Sequence, residues 1–130
     1  MRQLSSIRSV LVAVGLCIAA VAALAAEVPF DKAKFDAALA QGQPVIVDIA
    51  ASWCPTCKAQ KPIVQSLMSE KKMQPVTLFL ADFDTEKALK KQLGVTMQST
   101  FVVFKGGKEV GRSTGQTQKE AIAELFDKAL

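Results

Sequence analysis

Histidine and tyrosine are absent from this sequence of 130 residues, tryptophan occurs once and cysteine three times. Without histidine there is no imidazole acid–base chemistry, no mixed Cys/His zinc site, no zinc-deaminase chemistry and no Ser-His-Asp arrangement. A dominant charge of one sign is lacking too. Sixteen Lys and Arg face twelve Asp and Glu, for a formal net charge of +4. No aromatic–basic interleaving supports a nucleic-acid partner, and Lys71-Lys72 and Lys90-Lys91 read as solvated helix ends. The length suits one domain. A chain that is 50% hydrophobic and 22% charged is not a disordered one.

The N-terminus carries Arg2 and Arg8 and no acid, and from Val10 to Ala26 there is no charge at all. The run reaches Ala23-Leu24-Ala25, a small-x-small pattern. A basic start, an apolar stretch and a small-residue exit predict a secretory signal peptide over residues 1–25, followed by a mature domain over 26–130. The alternative is an uncleaved membrane anchor, for which the stretch is short and rich in Ala. Either places the domain outside the cytoplasm, in the periplasm or an equivalent compartment. Cys17 follows Leu16, where a lipoprotein signal has a small residue, so it is not read as a lipid site. Loss of Arg2 and Arg8 takes the formal charge from +4 to +2. A domain of this size buries roughly 65% of its unfolded surface, enough for a core without a metal or disulfide staple.

Asp31 can cap a helix running to about Gln41, with Phe30 and Phe35 spaced as a hydrophobic staple; Gly42 and Pro44 stop it. Pro44 to Ala50 is apolar but for Asp48, the pattern of a strand covered on both faces. Cys57 to about Lys71 is a predicted helix with Ile63, Val64, Leu67 and Met68 on one face and a kink at Pro62. A strand over Val76–Phe83 and a helix over Thr85–Leu93, closed by Gly94, come next. Thr100–Lys105 and Lys108–Arg112 form a hairpin about Gly106-Gly107. Thr117 and Glu120 are spaced as a capping box before a last helix burying Ala121, Ile122, Leu125, Phe126 and Ala129. Two crossovers and a hairpin predict an α/β fold with a mixed sheet of four to five strands flanked by helices.

Trp53-Cys54-Pro55-Thr56-Cys57-Lys58 lies where a buried strand meets a helix. Unpaired N–H groups at a helix start favour a thiolate, so Cys54 is the candidate exposed nucleophile. Cys57, a turn further in, is the candidate resolving thiol. Two other readings stay open. The pair is half of a zinc or iron–sulfur site, completed only by a dimer sharing ligands, or it is a purely structural disulfide. Asp48 is costly to bury charged, which raises its pKa and suits it to exchange a proton with Cys57 near neutrality. The plainer alternative is an acid reaching a wet sheet edge.

With these residues in place, the chain resembles the thioredoxin family over about residues 30–130. The WCxxCK string matches, with Cys54 and Cys57 on the nucleophilic and resolving positions. Pro62 matches the helix-kink proline, and Asp48, six residues before Cys54, the buried acid. Phe104-Lys105-Gly106-Gly107 and Gly115 match the late hairpin and the glycine after it. Two departures stand out. Leu80 occupies the place of a lysine near the buried acid. Ser99 replaces the cis-proline before the Thr that opens the third predicted strand, in Met97-Gln98-Ser99-Thr100. A non-proline cis bond costs about 2.5–4 kcal/mol, so a trans bond is the favoured expectation. In this family loss of that proline is associated with slow partner release and with metal or iron–sulfur capture.

The resemblance implies a thiol–disulfide oxidoreductase with no cofactor beyond its redox-active disulfide, a shared iron–sulfur or zinc centre being the minor alternative. Trp53, Pro55 and Thr56 on one side and Met97, Gln98, Ser99 and Thr100 on the other would form a groove for a partner peptide aligned along Gln98–Ser99. Strong oxidants of this superfamily carry His before the second cysteine and an inserted helical domain. Thr56 and the short chain instead favour a reductase of protein disulfides, recharged by a membrane-embedded electron-transfer protein; a monomer is expected, though neither feature bears on that. The alternatives are an oxidase or isomerase, or a non-catalytic protein that holds partners through the CxxC.

Overall fold

A computed structural model describes residues 25–130; the expected signal peptide, but for its last residue, lies outside the described residues. The apolar stretch read as a two-sided strand is β2 (Val45–Ala50), with Val45, Ile46, Val47 and Ile49 fully buried. It runs parallel to β3 (Thr77–Asp82) and antiparallel to β4 (Thr100–Lys105), which turns at Gly106-Gly107 into β5 (Lys108–Thr114). Beyond β3 lies β1 (Ala26–Pro29), parallel to it, so the mixed sheet has the order β1-β3-β2-β4-β5. The sequence reading contained four of these strands and not β1. Only four residues long, β1 is held by a partner about fifty residues away in sequence, and the alternation of Ala26 and Val28 about Glu27 is too short to mark a strand by itself.

Side chains alternate across the strands, so each face has its own core. Ile46, Leu78, Phe101 and Val103 pack with Val64, Leu67 and Met68 of α2 (Pro55–Met68) and Ile122, Leu125 and Phe126 of α4 (Lys119–Asp127). On the other face Val45, Val47, Phe79 and Phe104 meet Phe35 of α1 (Lys32–Ala40) and Leu89 of α3 (Lys87–Leu93). This is the expected architecture, a five-stranded mixed sheet with helices on both faces.

Most of the local signals acted as their chemistry requires, although α3 starts at Lys87 and not at Thr85. Asp31 caps α1 by accepting from the Lys34 N–H at 2.9 Å, and Phe30 meets Phe35 with ring centroids 5.6 Å apart. Gly94 closes α3 in the left-handed region at φ 64°. The helix expected from Cys57 starts two residues earlier, because Pro55 fits the first turn, and it runs through Pro62 to Met68 before a separate 3₁₀ turn at Lys71–Met73. The Thr117 capping box does not form. Gln118 is the N-cap of α4 without a side-chain bond, and the Gln116 side chain accepts from the N–H groups of Thr117 and Gln118 at 3.0 Å each.

Candidate active site

Strand β2 ends at Ala50 and α2 starts at Pro55, so the Cys-Pro-Thr-Cys segment straddles the first turn of the helix. Cys54 is the N-cap, and its sulfur accepts from the Cys57 N–H at 3.1 Å, one of the free donors of the helix start. Cys54 and Cys57 are joined as a disulfide with Cα atoms 5.3 Å apart. Cys54 was expected to be exposed; it is 1% exposed, less than Cys57 at 8%. Cys54 packs with Ala51 and Phe83, and against the pair lies Ser99, whose Oγ is 3.0 Å from the Cys54 sulfur and 3.1 Å from that of Cys57.

Ser99 is buried, and among the described residues it is the one non-glycine with positive φ, at 59°. No cis peptide bond occurs among the described residues, so Gln98–Ser99 is trans, the favoured expectation. Its carbonyl accepts from the Gly115 N–H at 2.9 Å and from the Gln60 amide at 3.4 Å. The burial of Ser99 corrects the expectation that a partner would run along a free Gln98–Ser99 backbone. The exposed part of the predicted groove is Met97, at 54%, facing solvent as Trp53 does at 55%, while Gln98 is half-buried and Thr100 is buried with its hydroxyl donating to the Met97 carbonyl at 2.7 Å. Pro55 is exposed and Thr56 half-buried.

Asp48 sits in the middle of β2, paired in register with Leu80 on β3, and it is buried with one carboxyl oxygen free of any hydrogen bond. Asp48 and Cys57 line one cavity of about 380 Å³ together with Glu27, Lys58, Lys61 and Leu80. Burial, reinforced by the negative charge of Glu27, pushes the Asp48 carboxyl up to about 7. The raised value was expected from the sequence; the wet-edge alternative does not fit a buried side chain.

Three polar residues of the site were not singled out in the sequence. Glu27 was missed with the strand that carries it. Gln60 is buried, its amide donating to the carbonyls of Ser99 and Gln116 and bracing the Ser99 loop. A signal for it existed: it falls on the inner stripe of α2 with Cys57, Val64 and Leu67. Asp84, just past β3, accepts from the Trp53 indole N–H at 2.9 Å and fixes the exposed ring beside the disulfide.

Comparison with known proteins agrees with this geometry. The Thioredoxin family model matches residues 26–128. The chain belongs to the thioredoxin family. It is 37% identical to the thioredoxin of Chlamydia muridarum over 84 residues, covering 65% of this chain and 80% of that one. It is 33% identical to thioredoxin H4 of Arabidopsis thaliana over 98 residues, covering 75% and 77%. Among solved structures, Trxlp from Edwardsiella tarda EIB202 superposes with a TM-score of 0.76 at 37% identity, over 78% of this chain and 98% of that one. The family, the fold and the disulfide at the start of α2 together make the protein a thiol–disulfide oxidoreductase whose redox group is the Cys54–Cys57 pair. No group of three or more Cys, Asp or Glu able to hold a metal occurs among the described residues. Nor is any helix among them long and apolar enough to cross a membrane.

Proposed function

We propose that this thioredoxin-family protein is an extracytoplasmic reductase of protein disulfides, exported by the signal of residues 1–25. Cys54 is its nucleophile, Cys57 its resolving thiol and Asp48 its proton acceptor. The observation that carries the residue roles is the asymmetry of the pair. Cys54 caps the helix and takes the Cys57 N–H, whereas Cys57 shares a cavity with a carboxyl poised near neutrality. In the reduced protein the Cys54 thiolate attacks one sulfur of a partner disulfide, forming a mixed disulfide and releasing the other partner sulfur as a thiolate. Cys57 then passes its proton to Asp48 and attacks the Cys54 sulfur. The second partner sulfur leaves, two electrons have moved to the partner, and the Cys54–Cys57 bond is restored. An external dithiol donor, a membrane-embedded electron-transfer protein in this reading, must reduce the pair again.

Thr56 before the second cysteine supports the reducing direction, and exposed Trp53 and Met97 supply an apolar landing for a partner segment. Ser99, which stands where the family's cis-proline is expected, favours a second reading. By covering Cys54 it would retard partner release, as in a protein that captures partners in a long-lived mixed disulfide.

Insulin reduction with dithiothreitol as donor, together with the equilibrium potential of the pair, tests the proposal. Turnover by wild type, its loss in Cys54→Ser, trapped partners in Cys57→Ser and a potential near about −270 mV support it. A potential near about −120 mV makes the protein an oxidant. Trapping without turnover in wild type favours the capture reading, and equal activity of the two cysteine variants refutes the assigned roles.

A further inference from the structure

The Ser99 hydroxyl is within hydrogen-bond distance of both sulfurs, and the direction of those bonds is fixed by chemistry. A disulfide sulfur carries no hydrogen, so Ser99 Oγ–H is the donor and the sulfurs accept. The backbone holding this hydroxyl is braced from behind. Gly115 N–H and the buried Gln60 amide both donate to the Ser99 carbonyl, and the residue keeps φ 59°, a left-handed conformation that disfavours any side chain. A donor buried against two sulfurs, and held there against its backbone preference, is placed for negative charge on sulfur.

We propose that Ser99 is a catalytic residue of the disulfide chemistry, donating its hydroxyl hydrogen bond to the Cys54 sulfur as that sulfur takes on negative charge. The inference rests on the reading of Cys54 as nucleophile. When two electrons from a dithiol donor open the Cys54–Cys57 bond, both sulfurs become thiolates. The donor becomes a disulfide and loses two protons, of which Cys57 takes one and solvent the other, and the charge on Cys54 remains, met by the Cys57 N–H and by Ser99 Oγ–H. Ser99 gives up no proton in this step. During resolution Cys57 is the charged sulfur, and the same hydroxyl, 3.1 Å away, can turn to it while the charge passes to the departing partner sulfur. The two cysteines are thus served by different groups. Asp48, Glu27, Lys58 and Lys61 share their cavity with Cys57 and not with Cys54, and the hydroxyl supplies the charge-assisted bond on the Cys54 side.

The test is the pH dependence of Cys54 alkylation by iodoacetamide in the reduced full-length chain. Fragment mass spectrometry separates Cys54 from Cys57 and Cys17. Ser99→Gly removes the hydroxyl and accepts the positive φ; Ser99→Ala removes it and keeps a side chain. In both, the Cys54 midpoint is expected to rise by about one pH unit, a tenfold loss of thiolate at a given pH. The potential is expected to fall by about 30 mV, the equivalent of that tenfold change. A merely structural role would shift unfolding and leave these two readouts in place. Midpoints in both variants within about 0.3 unit of a wild type that still reduces insulin overturn the inference alone. Preferential alkylation of Cys57 over Cys54 in wild type overturns the nucleophile assignment on which it rests.

Discussion

Asp48 is a carboxyl group in a strand buried on both faces, and its free oxygen has no donor to share charge with. Leu80, its cross-strand neighbour, offers none, and Glu27 adds repulsion. The unfolded carboxyl ionises near 3.8 and the folded one near 7. Between those values the native protein keeps a proton that the unfolded chain has lost, so stability falls as pH rises through the window and levels off above it. The gap corresponds to a cost on the order of 4 kcal/mol at alkaline pH. Asp48→Asn, which cannot ionise, is therefore expected to match wild type near pH 4 and to exceed it by a few kcal/mol at pH 8. Urea unfolding of the oxidised proteins at both pH values checks this. The same variant should lose the resolving step, so that greater stability and weaker turnover arrive together.

At the scale of elements, the β4–β5 hairpin is the piece whose turn must fit another part of the fold. Gly107 has φ 79°, and a Cβ there would lie 2.8 Å from the Leu39 carbonyl oxygen in α1. Gly106, at φ 59°, has open space. Gly107→Ala is expected to cost about 2–3 kcal/mol, backbone strain and a clash with main chain combined, and Gly106→Ala about 1 kcal/mol from strain alone. Equal losses in urea midpoints would mean that the turn does not bear against α1. The Gly-Gly pair was legible in sequence as a turn, but its contact with Leu39 was not, because nothing local specifies which helix end the turn will meet. The same division separates Asp31 from Thr117. Asp31 takes the Lys34 N–H and caps its helix; at Thr117 the N–H that the Glu120 side chain would accept from is given to the Gln116 side chain instead, and the box stays open.

Across the whole molecule, what was legible is what short-range chemistry enforces. The cysteine pair at a helix start, an acid inside an apolar strand and the two-sided strand pattern led from sequence to fold and to most of the site. What was not legible depends on distant pairing. β1 and its Glu27 are positioned only by β3, Gln60 acts only where the Ser99 loop and Gln116 come to it, and Asp84 matters only because the fold carries it to Trp53. The burial of Cys54 has in part the same origin, since Phe83 and Ser99, 29 and 45 positions later, are brought against it by the fold.

The Trp53–Asp84 contact has a consequence of an optical kind. This chain has one tryptophan and no tyrosine, so nearly all of its near-ultraviolet emission comes from a single indole, pinned by a hydrogen bond and joined by one peptide link to a disulfide cysteine. A disulfide accepts an electron from an excited indole and quenches it; two thiols do so far less. Opening the Cys54–Cys57 bond should therefore brighten the protein without any label, and Asp84→Ala, by freeing the ring, should shrink that change. Stopped-flow fluorescence would then time each half of the redox cycle directly, with the protein acting as its own indicator.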